Sequence, residues 1–402
     1  MSHRAGHDTT SRSTVEALIG DFNGKCVTHP DIDHNVPGGI TEQLNDMLTQ
    51  SYADSTGRNY NSKMKLFLTF LSKHALITTD WNGANPTIPD VTPIVLMFFC
   101  MFMVMKGMKS AASTAGYCSA VKQWCLLNDR PDPVLNPRTG TVDVRHHRLH
   151  RAIKRRLGTK TSRREPLSVT GLRTLLAAFR SGFIVHQCMI LDFVAAMLLG
   201  FYAMLRMSEC TNLTTTAHIQ FKEACRNDVS FFGPDDRPDG FRFVVKCSKT
   251  DQFRVTQTLT VFRSTDSKLC PVSAMHALFQ QDPRPPNAPL FDFTRRTDDR
   301  ASRQVSAART WFIREFQGAI IFAGMSTAKT QSHSLRSGGA TAHLRAGVDP
   351  YIIQRMGRWR SWCWQTYTWT SAIHTQQAME SVADSGHSDI VNLEQVRWQF
   401  KQ

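Results

Sequence analysis

The sequence predicts a mainly helical protein of two domains, the second interrupted by a small antiparallel β-sheet. Three observations carry this. The 402 residues exceed one ordinary domain and leave room for two substantial cores. Apolar residues recur at spacings of three and four along most of the chain, the period of a helix packed on one face. Strict alternation is confined to one stretch between residues 241 and 261. The expected division is a mobile arm over 1–40, an all-helical domain over 41–156, a basic linker over 157–166, a mostly helical second domain over 167–385, and a tail over 386–402.

Residues 1–40 are rich in Ser, Thr, His, Gly and Pro and lack apolar periodicity, so they are read as a mobile arm. Tyr60, Met64, Phe67, Leu68 and Leu71 then fall on one helical face. Thr92-Pro93 starts a second helix, with Thr as the N-cap and Pro in the first turn. A third spans Ser110 to Leu127 and turns Tyr117, Val121, Trp124 and Cys125 inward. Past the linker, Ser168 is a candidate N-cap, and an apolar helix runs from about His186 to Met204. Phe241, Phe243, Val245 and Cys247 alternate, SKTDQF supplies turn residues, and Val255, Gln257, Leu259 and Val261 continue the alternation, which describes a β-hairpin. Helical signals return at Pro271–Phe279, Ala301–Gln317 and from Ser332 onward.

The charge balance narrows the partner. Lys and Arg number 48 against 33 acidic residues, a formal charge of +15, which favours a polyanion. The longest apolar run, Pro93 to Met105, is shorter than the roughly 20 residues a membrane-crossing helix needs, so it is read as buried and no membrane partner is expected. The N-terminal sequence has no apolar core of a secretory signal, so a reducing, intracellular setting is expected. Arg145 to Arg164 holds nine basic residues and no acid: Arg145, Arg148, Arg151, Lys154, Arg155, Arg156, Lys160, Arg163 and Arg164. These are the expected contacts to a double-stranded DNA backbone. The ten cysteines include no CxxC pair and are read as ordinary thiols. His146 and His150 have metal-ligand spacing, but no third ligand lies near them in sequence, so no metal is assigned.

The chemistry-bearing stretch is SHSLRSGGATAHLRAGVDPYIIQRMGRWRSWCWQTYTW, residues 332–369. Ser332 is placed as an N-cap, which puts His333 and Arg336 one turn apart on one face. Gly338 and Gly339 weaken that helix unless a backbone packs closely there. Asp349-Pro350 restarts a helix. The order of these residues resembles the C-terminal signature of the tyrosine recombinase, or phage integrase, family. His333-Ser334-Leu335-Arg336 matches its H-x-x-R, Gly357-Arg358-Trp359 its Gly-His or Gly-Trp position, and Tyr367 its nucleophile. Upstream, Arg206 and Glu209 match an Arg followed three residues on by an acid, and Lys249 falls in the hairpin turn where the family places a catalytic lysine. Trp359 lies eight residues before Tyr367 and Arg358 nine; the GRW context favours Trp359 as the hydrogen-bonding member, with Arg358 the alternative. The resemblance covers about residues 165–380 strongly and the 41–156 domain only in general pattern. GRWRS is similar to the eukaryotic mobile-element branch, Cryptons and tyrosine-recombinase retrotransposons, which with the Lys154-Arg155-Arg156 run implies nuclear residence.

What the resemblance implies is a fold like the DNA breaking-rejoining enzymes, a helical domain that clamps DNA, a tetramer on DNA, and strand exchange through a 3′-phosphotyrosyl bond. The residue types suit that chemistry. Attack on a phosphodiester builds charge on the non-bridging oxygens, which the guanidinium groups of Arg206 and Arg336 can stabilise without a cofactor. Arginine stays protonated to above about pH 12, whereas a lysine can be tuned to give up a proton, so Lys249 is the expected general acid. Lys246, close to the same turn, is the alternative. His333 can take the phenolic proton, and Trp359 offers an indole N–H. Glu209 is read as orienting Arg206. Tyr351, which precedes the GRW motif, is expected in the core, and Trp362, Trp364 and Trp369 are expected to pack. A type IB-like topoisomerase and a catalytically inactive DNA-binding descendant stay open as alternatives.

Overall fold

The computed structural model describes residues 54–368, except 80–85, 159–163, 183–184, 186, 213–217, 249–255 and 294–308, with isolated positions on either side. The 1–40 arm, Lys160, Arg163, Lys249, Trp369 and the 386–402 tail lie outside the described residues. The chain forms two compact units, Met1–Thr161 and Ser162–Gln402.

Among the described residues, the first unit packs four helices, α1 (Asp54–Lys73), α2 (Pro93–Met105), α3 (Ala111–Leu127) and α4 (Val144–Leu157), with a short antiparallel pair, β1 (Thr78–Thr79) and β2 (Pro86–Thr87). The start of each of the later three helices is set by a side chain. Thr92 accepts from the Val95 amide, Ser110 from Ser113, and Asp143 from Arg145 and His146. Met64, Phe67 and Leu71 meet Phe99 and Met103 of α2 and Val121 and Trp124 of α3 in one apolar core. No helix among the described residues is long and apolar enough to cross a membrane. Helix α4 adds Ile153 to that core, with half-buried Leu149 and Leu157 packed against it, and buries His146, while Arg145, Arg148, Arg151, Lys154, Arg155 and Arg156 are all exposed. Cys100 of α2 and Cys118 of α3 end up beside His146 and His150, a grouping the sequence separation hid.

The second unit combines helices with a three-stranded antiparallel sheet. The elements are α5 (Val169–Arg180), α6 (Ile190–Tyr202), β3 (Val229–Phe232), β4 (Gly240–Val245), β5 (Gln257–Phe262), α7 (Pro271–Gln281), α8 (Arg309–Phe322), α9 (His333–Arg345) and α10 (Pro350–Met356). The hairpin pairs Phe241 with Val261, Phe243 with Leu259 and Val245 with Gln257, the alternation that defined it in the sequence. Strand β3 joins the other side of β4 and was not anticipated; VSFF is too short an apolar run to reveal its period. Helix α6 is apolar on all sides because it is covered on all sides, with Asp192 through Phe201 buried.

Helix α9 packs against α6, and its glycines are the reason it can. A Cβ on Gly338 would collide with the Leu167 carbonyl oxygen, and one on Gly339 with the Phe201 carbonyl oxygen. Ser332 does not cap α9. Its own backbone is already helical and its side chain makes no cap hydrogen bond, while the Ser334 hydroxyl accepts from the Gln331 amide at 3.1 Å. Asp349 does cap α10, accepting from Tyr351 at 2.7 Å, with Pro350 in the first turn. Because the obstacle at Gly339 is backbone, Gly339→Ala should lower stability by at least about 2 kcal/mol in denaturant unfolding, the scale of an overpacked core. Gly347→Ala, whose Cβ meets nothing within 4 Å but whose φ is +76°, should cost less.

Candidate active site

The site forms where four separated pieces of chain converge: the turn after α6, the start of α9, the GRW segment after α10, and the short helical turn ending at Tyr367. The first piece carries Arg206 and Glu209, one turn apart. Glu209 is buried; one carboxylate oxygen accepts from the Arg206 guanidinium at 3.0 Å and the other from the Arg206 amide at 2.9 Å. The second oxygen also accepts from Nη2 of Arg358 at 2.5 Å. Glu209 therefore orients two arginines. Arg358, the alternative reading for the hydrogen-bonding position, is committed to this pair and to the Ala203 carbonyl.

Arg336 lies at the centre with 0% exposure. It donates to the carbonyls of Met204 and, at 2.7 Å, Gly357, and its Nε is buried without a partner. Its guanidinium lies 4.5 Å from the Trp359 ring and 5.5 Å from the Tyr367 ring. Met204 and Arg358, next to the two accepting carbonyls, adopt left-handed backbone with φ of 48° and 58°, a strain of about 1–3 kcal/mol each. Gly357 is glycine for a local reason: the Trp359 ring occupies the place of its Cβ. Trp359 is buried and its indole N–H has no partner. Tyr367 closes the group, with ring centroids 5.3 Å from His333 and 5.1 Å from Trp359. Its carbonyl accepts from Thr341 of α9 at 3.3 Å.

The electrostatics favour an anion. Arg206, Arg336 and Arg358 gather around the one carboxylate of Glu209, and Arg336 makes its hydrogen bonds only to carbonyls. Burial pushes the Arg336 guanidinium down to about 10, Glu209 opposes that, and Arg358 and Arg206 add to it; the group stays charged at neutral pH. His333 is likewise held below its ordinary value, first by burial and then by Arg336, Arg206 and Arg164. It is therefore neutral at pH 7 and able to accept a proton.

Other sequence-derived residues are placed elsewhere. Lys246 is tied down: its ammonium donates to Asp228 at 2.8 Å, the Gln220 carbonyl at 2.7 Å and Cys225 at 3.1 Å. Burial pulls its pKa down, but the hydrogen bonds and charge attraction of Asp228 and Cys225 together outweigh burial and raise it, the wrong direction for a proton donor. Tyr351 is 60% exposed and accepts from Arg355, so it is not a core residue; α10 turns it outward. Trp364 packs beside Trp359, but Trp362 is 70% exposed, so the packing expectation holds for only one of the two. Arg164 is exposed in the second unit. The signal that sequence reasoning missed is the double use of Glu209, since nothing in the spacing of Arg358 announces a carboxylate 149 positions upstream.

No protein-family model and no curated protein matches this sequence. Solved structures do. The XerH site-specific recombinase bound to palindromic difH substrate, a post-cleavage complex, superimposes with a TM-score of 0.56 at 13% identity, covering 93% of each chain. XerH in a pre-cleavage complex with difH gives 0.52 at 12% identity, covering 91% of this chain and 95% of that one. A lambda integrase dimer bound to a COC′ core site gives 0.50 at 15%, covering 85% of each. The chain has the integrase-like fold of these recombinases: mostly helical, with a small antiparallel sheet.

Because burial and three neighbouring arginines act in the same direction, the His333 ring of the free protein should titrate below 6.5 in an NMR pH series. Arg206→Gln should move that midpoint upward. A His333 midpoint at or above 6.5 would contradict the charge arrangement.

Proposed function

We propose that this protein is a DNA tyrosine recombinase, cleaving and rejoining strands through a 3′-phosphotyrosyl bond at Tyr367. The observation that carries the proposal is the packing of the Tyr367 ring against His333, Trp359 and Arg336 together. A phenol, a neutral imidazole, an unpartnered indole N–H and a surplus of guanidinium charge are the groups that phosphodiester exchange at a tyrosine requires. The integrase-like fold supports the same reading.

In the reaction, the Tyr367 phenolic oxygen attacks phosphorus as its proton passes to His333. The P–O5′ bond breaks, its electron pair stays on the 5′ oxygen, and Lys249 protonates that oxygen. Arg206, Arg336 and Trp359 donate to the non-bridging oxygens as charge builds on them. The tyrosyl ester conserves the energy of the broken bond, so a 5′-hydroxyl can reverse the step without ATP. Arg336 is enclosed beneath Tyr367, so the tyrosine swings outward as the phosphate enters. Lys249 lies outside the described residues; its assignment rests on the resemblance and on the commitment of Lys246 to Asp228.

The exposed arginines and lysines of α4, with Lys160, Arg163 and Arg164, would follow the backbone of double-stranded DNA, setting position while base contacts set sequence. We infer a homotetramer on DNA, a mobile-element origin suggested by GRWRS, and nuclear residence suggested by Lys154-Arg155-Arg156.

The test uses DNA with sulfur replacing the bridging 5′ oxygen. A thiol leaving group, with a pKa near ~8.5, needs no acid. Wild-type protein should become covalently attached to both substrates. Lys249→Ala should lose about 10²-fold or more on ordinary DNA and regain nearly wild-type rate on the sulfur substrate. Lys246→Ala should show no selective rescue. Nicking without attachment of protein would overturn the covalent mechanism, and equal impairment of Lys249→Ala on both substrates would remove Lys249 as the acid.

A further inference from the structure

We propose that Cys100, Cys118, His146 and His150 form a structural zinc site in the helical unit, stapling α2, α3 and α4 together. Their candidate ligand atoms all lie within 4.8 Å of one another. The Cys100 and Cys118 sulfurs are 3.2 Å apart, Cys100 sulfur is 3.8 Å from His150 Nε2, and the two imidazole rings are 4.6 Å apart. Zinc bonds of about 2.3 Å to sulfur and 2.0–2.1 Å to nitrogen would set neighbouring tetrahedral ligands about 3.3–3.8 Å apart, so closure needs about one ångström of side-chain movement.

The burial pattern asks for a ligand. Cys100, Cys118 and His146 are buried and His150 is half-buried, and Nε2 of His146 has no hydrogen-bond partner. An unpartnered buried ring nitrogen is costly, and a metal bond removes that cost. Two sulfurs and two imidazoles are the donors that select zinc, and four protein ligands leave no open position for substrate. Binding displaces one proton from each thiol, giving two thiolates against a divalent ion; the resulting centre is neutral, which an apolar core tolerates far better than a bare charge. A Cys100–Cys118 disulfide would need the sulfurs to approach from 3.2 Å to about 2.05 Å, and it would leave both histidines without a role.

The site also answers a need of the fold. Helix α4 is strongly basic, and its apolar contribution is limited to Ile153 with half-buried Leu149 and Leu157. His146 and His150, at i and i+4, share its inner face. Two metal bonds from that face fix the rotation of α4 and keep its basic residues outward. The site does not depend on the recombinase reading, and its test uses no DNA.

The full chain, purified without chelator, should contain one zinc per chain by elemental mass spectrometry. Cobalt replacement should give the thiolate charge-transfer absorption and strong visible bands of a tetrahedral S2N2 centre. That spectrum uses the unmutated chain, so a variant that fails to fold does not obscure the answer. His150→Ala, at the least buried ligand, should lose zinc on dialysis, while the exposed neighbour His147→Ala should retain it. Zinc-free protein with Cys100 and Cys118 cross-linked, a cobalt spectrum without thiolate bands, or full zinc in Cys118→Ser would each overturn the site.

Discussion

A charged guanidinium held away from water is the constraint on which the second unit is built. Arg336 reaches no carboxylate with its hydrogen bonds, so backbone carbonyls and aromatic faces must hold it. Supplying those groups dictates the local structure. The turn after α6 must present the Met204 carbonyl inward, which fixes left-handed backbone at Met204. The segment after α10 must present the Gly357 carbonyl, and the next residue, Arg358, again takes left-handed backbone. Helix α9 must then approach the end of α6 closely enough for its first turn to reach both, which Gly338 and Gly339 permit. The strain is local, and what it secures is a fixed positive centre with Trp359 and Tyr367 stacked over it.

Around this centre the charges are deliberately unbalanced. Glu209 holds Arg206 with one oxygen and Arg358 with the other, so a single acid sets the direction of two cations without neutralising the group. A buried acid paired in this way costs desolvation energy, and removing it would leave Arg358 buried and unpaired. Its place is therefore structural, while the surplus charge is available to an incoming phosphate. Burial first, and then the same surplus, hold His333 below its ordinary value, so the charge that would stabilise a developing oxyanion would also leave the histidine able to take the tyrosine's proton.

Much of this was legible in the sequence, because the strongest signals were local. The caps at Thr92, Ser168 and Asp349 and the alternation of Phe241, Phe243 and Val245 each depend on neighbours a few residues away. The glycine pair was readable as a close approach, though not what it approached. Signals failed where the partner is remote or the run short. Strand β3 has four residues and no visible period. Ser332 looked like a cap, but α9 begins from backbone already helical, so its hydroxyl has no cap to make. Tyr351, placed before the GRW motif, was expected in the core, yet the face of α10 that packs inward carries Ile353 instead. Glu209 joining Arg358, and two cysteines joining two histidines, are tertiary events between segments with no sequence motif in common.

The proposed chemistry depends above all on Tyr367 as the group that takes the DNA strand. The most direct measurement is to trap wild-type protein on nicked DNA without added metal ion, digest the complex, and identify the peptide that carries the nucleotide remnant by mass spectrometry. A single modified peptide with a 3′-phosphoryl link on Tyr367 is expected, and none from Tyr367→Phe protein that still binds the DNA. A remnant on any other residue, or capture that persists in Tyr367→Phe, would contradict it.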